Sequence, residues 1–379
     1  MKFDSLPKKY SIYITMKTIL LITPYSPDNQ GIGVSYTSQL LAELAKTWKV
    51  DLVYFRYPDD QPYQPVSPNI HILREEIITG KKKILSLIGQ PLTFPLFTAR
   101  HDKQVCRFLQ AQVAQTHYDC VYFDFSQTFS YAKYINHPNK ILMAHDVIAQ
   151  KFSRMQTYLR PWASYSERKL LKYGTIVFTF SEKDCELLKK LYGINAKSTT
   201  FFLHPNVINA IPNKEENYFV FFGAWNRVEN SEALEWFIDN VYDKLPKDTH
   251  YKVIGGGQMP QEVLNKIENC ETIEYLGFMD DPFPIIANAR AEIASLHMGA
   301  GVKVKCVQAL ACGTPVVGTE VAFEGIEKKY QYAMFEANTA EEYVNMIASF
   351  NFSLENKKQL KEDFLQSYNN KEILRYINE

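Results

Sequence analysis

The sequence predicts an α/β protein with two doubly wound domains, each built on a parallel sheet with helices on both faces. A short β-rich run at residues 17–23 is followed by glycines and an amphipathic segment, the strand–loop–helix order that opens such a domain. The same order recurs at residues 218–238, and a further strand–turn–helix–strand unit occupies residues 291–318. With 379 residues, 46% of them hydrophobic, the chain is long enough to bury two cores.

Composition and charge exclude several classes of protein. The chain has 42 lysines and arginines and 42 aspartates and glutamates. This balance argues against nucleic acid as a partner, and any positive field must be local. The six cysteines occur singly, without metal-binding spacing, and indicate the reduced thiols of a cytoplasmic protein. Residues 1–16 lack the apolar core of a signal peptide and are expected to form a loosely held N-terminal extension.

The first strand is followed by a short glycine loop that contains Gly31 and Gly33. The loop leads into a predicted helix at residues 35–46, and the next strand is expected at residues 50–55. The loop lacks the G-x-G-x-x-G pattern of dinucleotide-binding folds, so its fingerprint is weak. We expect Gly31 to allow a substrate to approach the backbone closely. For Gly33, a purely structural turn explains the glycine equally well.

A histidine follows one of the next predicted strands. Residues 119–125 and 140–143 are strand candidates, and the second leads into His145 and Asp146. In α/β folds, ligands bind beyond the carboxyl ends of parallel strands, which is where His145 is expected to lie. The alternative is a histidine held by a neighbouring backbone carbonyl.

The domain boundary is predicted at a polar, proline-bearing loop, residues 208–217. The first domain then comprises residues 17–207 and the second residues 208–353. The remaining segment, residues 354–379, is polar, charged and helical in pattern.

The most informative stretch is residues 297–326. An apolar strand ends there in the turn Gly299-Ala300-Gly301, and helical spacing begins at Val302, with Lys303 and Lys305 near the helix start. A helix N-terminus directs unpaired N–H groups and partial positive charge at whatever occupies such a turn, so the stretch predicts an anion site suited to a diphosphate. The alternative is a plain βαβ unit whose glycines only tighten the turn.

This stretch resembles the signature of retaining, nucleotide-sugar-dependent glycosyltransferases of the family-four (glycosyl transferases group 1) type. The resemblance rests on the glycine turn, the basic residues and the run QALACGTPVV at residues 308–317. It implies the GT-B fold, in which two Rossmann-like domains are separated by a cleft, with a last helix that crosses back to the first domain. Two glutamates usual in that family are replaced here by Ala300 and Gln308. Gln308 can still hydrogen-bond to ribose hydroxyls but carries no charge.

The resemblance also implies roles for individual residues. His145 is expected to contact the transferred sugar, while Arg227 and Lys305 are expected to neutralise the donor diphosphate; these three form the catalytic set. Arg227 could instead be a surface arginine, and Lys303 could point to solvent. Core packing alone would also explain Phe278 and Met279, which are candidates to bracket the base. The donor-binding set is Gly31, Gly33, Gly223, Phe278, Met279, Gly299, Ala300, Gly301, Val302, Lys303 and Gln308.

The implied reaction needs no cofactor and no metal, because no carboxylate pair in the sequence is placed to hold a cation beside a diphosphate. The expected partners are a nucleotide-sugar donor and a glycan, lipid-linked or protein-linked acceptor, in bacterial surface glycan assembly. A nucleotide-sugar epimerase on the same fold is one alternative and would require carboxylates such as Asp146 and Glu324. A non-catalytic GT-B partner subunit is the other, because Ala300 and Gln308 replace the usual glutamates.

Residues 81–97 combine three consecutive lysines with an apolar and aromatic run. We favour a solvated helix end beside a partly buried loop, since charge runs usually face water. The alternative is peripheral contact with an anionic membrane surface, at the inner face of the cytoplasmic membrane.

Overall fold

The computed structural model describes residues 16–27, 32–155, 157–368 and 371–379, without the side chains of residues 32–35 and 371. These residues form two parallel sheets, each covered by helices, as the sequence predicts. Gly31 lies outside the described residues, as do residues 1–15 of the predicted N-terminal extension.

The first sheet has the order β3-β2-β1-β4-β5-β6-β7 within the described residues, and every pairing is parallel. The order reverses between β1 and β4, which is where ligand crevices form in doubly wound sheets. The strands are β1 Thr18–Thr23, β2 Lys49–Arg56, β3 Ile70–Ile77, β4 Cys120–Asp124, β5 Lys140–Met143, β6 Ile176–Thr179 and β7 Lys197–Ser198.

Helices cover both faces of this sheet. Alternate residues of β1 enter separate cores, since Leu20 and Ile22 pack on one side while Ile19 and Leu21 pack on the other. The helices are α1 Ile32–Leu44, α2 Gly80–Gly89, α3 Pro95–Thr98, α4 Lys103–Gln115, α5 Phe129–Ala132, α6 Ile148–Arg154, α7 Arg160–Leu171 and α8 Glu182–Tyr192. The next helix, α9 Pro205–Asn209, already belongs to the second domain, because its buried residue Val207 packs in that domain's core.

The second sheet repeats the architecture with the order β10-β9-β8-β11-β12-β13, again parallel throughout the described residues. Its strands are β8 Tyr218–Phe222, β9 His250–Ile254, β10 Ile273–Gly277, β11 Glu292–Ala294, β12 Val316–Gly318 and β13 Met334–Glu336. The accompanying helices are α10 Val228–Asn240, α11 Gln261–Glu268, α12 Phe283–Asn288, α13 Val304–Ala311 and α14 Ala340–Ala348.

The end of the chain comprises two helices, α15 Leu354–Ser367 and α16 Lys371–Asn378. Leu360 on α15 packs in the core of the second domain, whereas Ile373 and Ile377 on α16 pack in the core of the first. The Trp48 indole N–H also donates to the Asn378 side chain over 2.7 Å. The chain therefore crosses back between two helices, where the sequence pattern indicated one helical segment.

Candidate active site

A cavity of about 510 Å³ lies between the carboxyl ends of the two sheets. The first domain contributes the segments after β1, β4 and β5, and the second contributes those after β8 and β11. The lining residues singled out by the sequence are His145, Arg227, Gly299, Ala300, Val302, Lys303 and Lys305. The structure thus brings the predicted catalytic set and the glycine turn together around one cleft.

The glycine turn holds the two domains close together. Gly299 and Gly301 have φ values of 113° and 67°, in the left-handed region that favours glycine. A Cβ on Gly301 would lie 3.0 Å from the carbonyl oxygen of His145 and would collide with the carboxylate of Asp146. Glycine at position 301 therefore permits a close approach between domains that any other residue would obstruct.

Backbone amides beside this turn are free to bind a ligand. Among the described residues, no backbone acceptor pairs with the amides of residues 299–303. Helix α13 begins at Val304, two residues later than predicted, and its N-cap residue Lys303 makes no side-chain cap. Unpaired N–H groups and the partial positive charge of the helix N-terminus make this end of the cavity suitable for an anion.

Two cations line the same cavity as these amides, and neither has a carboxylate within ion-pair distance in the described chain. The Lys305 side chain is 8% exposed, and its Nζ donates to Oδ1 of Asn230 over 3.2 Å. Arg227 is exposed and forms no ion pair with a described residue. Fully buried Glu292 interacts electrostatically with Lys305, and burial raises the pKa of Glu292 to about 7 while the lysine opposes that rise. Lys305 and Arg227 can therefore direct their charge at a ligand.

Lys303 does not point to solvent, which corrects that alternative. Its side chain is 11% exposed, and Nζ donates to the carbonyl oxygen of Gly301 over 2.7 Å. The same Nζ lies 3.6 Å from Oε2 of Glu324, and burial lowers the pKa of Lys303. Lys303 thus stabilises the turn itself, so that its charge is already partly compensated.

On the opposite side of the cavity, a buried carboxylate holds His145. The imidazole Nε2 lies 2.8 Å from Oδ1 of Asp124, which is fully buried and also accepts hydrogen bonds from the hydroxyls of Thr23 and Thr37. The alternative of a histidine held by a backbone carbonyl is therefore wrong. Because Nε2 is bound to Asp124, Nδ1 is the ring nitrogen left for a ligand.

Phe125 clamps the imidazole ring. Its φ of 57° is the one positive value among described non-glycine residues, and such backbone strain costs on the order of 1–3 kcal/mol. The Phe125 ring stacks on His145 with centroids 3.4 Å apart, and Phe180 contacts the imidazole edge to face at 4.9 Å. The strained backbone places an aromatic wall directly on the predicted catalytic histidine.

Five fully described members of the predicted donor-binding set are not among the residues that line the cavity: Gly223, Phe278, Met279, Gly301 and Gln308. A Cβ on Gly223 would lie 3.0 Å from the Asn230 amide, so this glycine makes room for the residue that holds Lys305. Phe278 is 57% exposed, and Met279 packs against the core of the second domain. Gln308 lies in α13, and its buried Oε1 has no hydrogen-bond partner among the described residues. Gly33 lies in the first turn of α1.

The sequence reasoning missed an ion cluster that joins the domains. Arg154 at the end of α6 binds Glu324 and the carbonyl oxygen of Gly299, and Lys183 on α8 lies 2.9 Å from Glu324. Burial would raise the pKa of Glu324, but the hydrogen bonds from Arg154 and Lys183 lower it overall. The cluster sits between the two domains, and no local sequence pattern signals such a contact.

Asp124 and Phe125 were also missed as site residues, although a signal existed. They end the strand next to the one that leads into His145, and adjacent strand ends meet at one edge of a parallel sheet. Lys151 on α6 is a further cation in the cavity lining. Within the described ranges, no group of three or more histidine, cysteine, aspartate or glutamate side chains is placed to hold a metal ion.

Comparison with known proteins gives a consistent result. The family model described as Glycosyl transferases group 1 matches residues 216–350. A search of curated proteins found no match. Among solved structures, S. aureus TarM in complex with fondaparinux, α-GlcNAc-glycerol and UDP is similar with a TM-score of 0.70 at 11% identity, covering 96% of this chain and 99% of that one.

Two further structures have the same arrangement. Sucrose-phosphate synthase from Thermosynechococcus elongatus has a TM-score of 0.68 at 16% identity, covering 96% of this chain and 97% of the other. Anabaena HepE in complex with UDP has a TM-score of 0.65 at 13% identity, covering 96% and 100%. At these identities the likeness establishes the fold. The chain therefore has the GT-B fold, and its second domain, over residues 216–350, is of the glycosyl transferases group 1 type.

Proposed function

We propose that this protein is a metal-independent, retaining glycosyltransferase that moves a hexose from a nucleotide-diphosphate sugar to a glycan, glycolipid or glycoprotein acceptor. We further propose that it acts in the bacterial cytoplasm, in surface glycan assembly. One observation carries the proposal: free amides at residues 299–303, Arg227 and Lys305 adjoin one cavity, with the Asp124–His145 pair across from them. The six free cysteine thiols suit a reducing compartment.

The second domain would bind the diphosphate. A diphosphate leaving group requires positive charge where its own negative charge develops, and preorganised N–H groups and cations supply it without a metal ion. Lys305 is already oriented by Asn230, so little conformational freedom is lost when the donor binds.

The reaction would then proceed on one face of the sugar. The bond between the anomeric carbon and the phosphate oxygen breaks as the acceptor hydroxyl oxygen bonds to the same carbon. The proton of that hydroxyl passes to the leaving phosphate, and the nucleoside diphosphate departs. Closure of the domains around the cavity would exclude water, which otherwise competes with the acceptor.

The first domain would position the sugar. His145 is held by Asp124 and Phe125, so Nδ1 is available to a sugar hydroxyl at a fixed place. TarM and HepE, which share the fold, were each solved with UDP, and this supports a nucleoside diphosphate as the ligand.

A thermal-shift screen with UDP, GDP, ADP and their sugars tests the proposal. One nucleoside diphosphate is expected to stabilise the protein by about 2.7 kcal/mol at about 100 times its dissociation constant. The sugar conjugate should then be consumed, with release of the nucleoside diphosphate when an acceptor is present. A protein that none of these nucleotides stabilises would contradict the proposal.

A non-catalytic nucleotide-binding subunit is the second candidate. It is favoured by Ala300, which lines the cavity but offers only its backbone where the resembled family has a carboxylate. Binding of a nucleoside diphosphate without consumption of any donor would identify this function. Of the two carboxylates that an epimerase would require, Asp146 lines the cavity, but Glu324 is occupied by ion pairs with Arg154 and Lys183, so this alternative is less well supported.

A further inference from the structure

Helix α2 exposes its apolar side chains and buries a polar one. Ile84, Leu85 and Ile88 are 59%, 68% and 70% exposed, and they lie on one side of the helix. Ser86 is the buried residue of α2, and its hydroxyl donates to the carbonyl oxygen of Thr98. This is the reverse of an ordinary surface helix, whose apolar face contacts the core. The expected solvated helix end is present, with Lys81 exposed, and the loop beside it is partly buried at Phe94, but neither explains why the apolar side chains of the helix are exposed.

The exposed apolar surface continues onto the neighbouring helix. Leu92, in the loop after α2, is 79% exposed, and its carbonyl oxygen accepts a hydrogen bond from the Trp162 indole over 3.0 Å. Trp162 on α7 is 37% exposed, and Tyr158 just before α7 is 90% exposed. We call this surface the apolar basic face and define it by Ile84, Leu85, Ile88, Leu92, Tyr158 and Trp162.

The charges around this face have one sign. Within residues 78–101 and 147–172, the exposed lysines and arginines are Lys81, Arg160, Arg168, Lys169 and Lys172. The one acidic residue in these two ranges, Glu167, is buried and accepts hydrogen bonds from the amides of Ile148 and Ala149. Lys82 is paired with Glu76, but Lys81 and Arg168 are exposed. The exposed charged side chains of the two segments that carry the apolar basic face are therefore all positive.

We propose that the apolar basic face binds the surface of an anionic lipid bilayer. Apolar side chains that project from a helix lying in the plane of the interface insert between headgroups, while lysines and arginines around them attract anionic lipids. Tryptophan and tyrosine are the residues enriched at the membrane–water interface. None of the helices in the described part of the chain is long and apolar enough to cross a bilayer, so contact would be peripheral.

The position of the apolar basic face relative to the cavity indicates how membrane contact would serve a lipid-linked acceptor. Helix α6 starts close to His145 and carries Lys151, which lines the cavity, and it ends beside Met155, which is 56% exposed next to Tyr158. An acceptor carried by a lipid would thus reach the cleft along the surface of the first domain. The membrane contact itself does not depend on the donor chemistry and can be tested separately.

Co-sedimentation with vesicles provides the test. The full chain is expected to bind vesicles of equimolar phosphatidylglycerol and phosphatidylcholine, and to bind phosphatidylcholine alone at least about tenfold more weakly. The double variant Ile84→Ser/Ile88→Ser should lose at least about tenfold in affinity. Its matched control is Ile208→Ser/Ile211→Ser, which alters exposed apolar residues outside the face and should bind as the unaltered protein does.

A charge variant separates the electrostatic part. Arg168→Gln/Lys169→Gln should weaken binding to the anionic vesicles and reduce its salt dependence, whereas Lys189→Gln/Lys190→Gln on α8 should not. All four variants change exposed side chains, so circular dichroism and donor-induced thermal shifts should remain unchanged. Absence of binding to anionic vesicles, or equal losses in variants and controls, would overturn the proposal. So would a dimer that Ile84→Ser/Ile88→Ser converts to monomer while vesicle binding is absent, because the face would then join two copies.

Discussion

The two walls of the cavity, one from each domain, present different chemical groups. The first domain contributes aromatic rings and a histidine–carboxylate pair, in which side chains from different strands hold one another. The second domain contributes main-chain amides and cations, placed by a glycine turn and a helix start. Under the proposed function, the first wall would orient the sugar and the second would stabilise the negative charge of the leaving group.

The largest effect is expected from the cations of the second wall. Arg227→Ala and Lys305→Ala should each lower turnover by two orders of magnitude or more, since a partner of transition-state charge contributes about 3 kcal/mol. Both should also weaken binding of the nucleoside diphosphate, measured by titration calorimetry. Lys247→Ala, which removes a 78% exposed lysine elsewhere in the second domain, is the control. Activity near that of the unaltered protein in either variant would remove that residue from the site.

A smaller and more selective effect is expected from the first wall. His145→Ala and Asp124→Asn should lower kcat by about 10- to 100-fold, the range of a hydrogen bond to a charged or polar partner. Affinity for the nucleoside diphosphate should stay within about twofold, because the diphosphate contacts the other wall. Equal losses of kcat and nucleotide affinity would show that the two walls do not divide the task.

Glu292, which interacts electrostatically with Lys305, should make the stability of the folded protein depend on pH. Its pKa of about 7 in the folded protein lies above the value of 4.5 for an ordinary glutamate, so the folded state holds the proton more tightly. Stability from this group is therefore complete below about pH 4.5 and is lost as the pH rises to about 7. The Tm of the unaltered protein should fall between pH 5 and 8, and in Glu292→Gln that fall should be smaller by a few °C. The exposed residue Glu262 provides the control, as Glu262→Gln. An unchanged pH profile in Glu292→Gln would contradict the assignment.

The smallest effect is expected from removal of metal ions. If amides and cations alone stabilise the leaving group, excess EDTA should change turnover by less than about twofold. Loss of activity that Mg²⁺ or Mn²⁺ restores would show that the second wall needs a divalent cation as well.

The second wall was largely predictable from sequence, whereas in the first wall only His145 was predicted and its partners Asp124 and Phe125 were missed. A glycine turn between a strand and a helix is a local pattern, and the backbone conformation at Gly299 and Gly301 follows from it. The Asp124–His145 pair depends instead on two strands becoming neighbours, which is a property of the whole sheet. Contacts between domains, such as Arg154 with Glu324, produce no periodic pattern in the sequence.

Helix α2 shows a further limit of sequence patterns. Its hydrophobic spacing is that of an amphipathic helix, but the pattern does not say which side faces the protein. Ser86 and the lysine stems take the inner side, with Lys83 stacked over Tyr57. Strands β3 and β13 were also missed, because both are edge strands with exposed polar residues instead of a continuous apolar run.

The path of the chain fixes how the cleft can open. The polypeptide leaves the first domain before α9 and returns between α15 and α16, and these two passages touch, since the Phe201 amide donates to the Tyr368 hydroxyl over 3.1 Å. Two adjacent crossings of the chain would allow the domains to rotate about this edge of the cleft and would prevent them from sliding past each other. The ion pairs of Arg154 and Lys183 with Glu324 would then hold the two domains together on the side of the cleft that opens. Opening of the cleft would break these ion pairs and closure would re-form them. The rate at which the domains separate would therefore depend on three charged side chains.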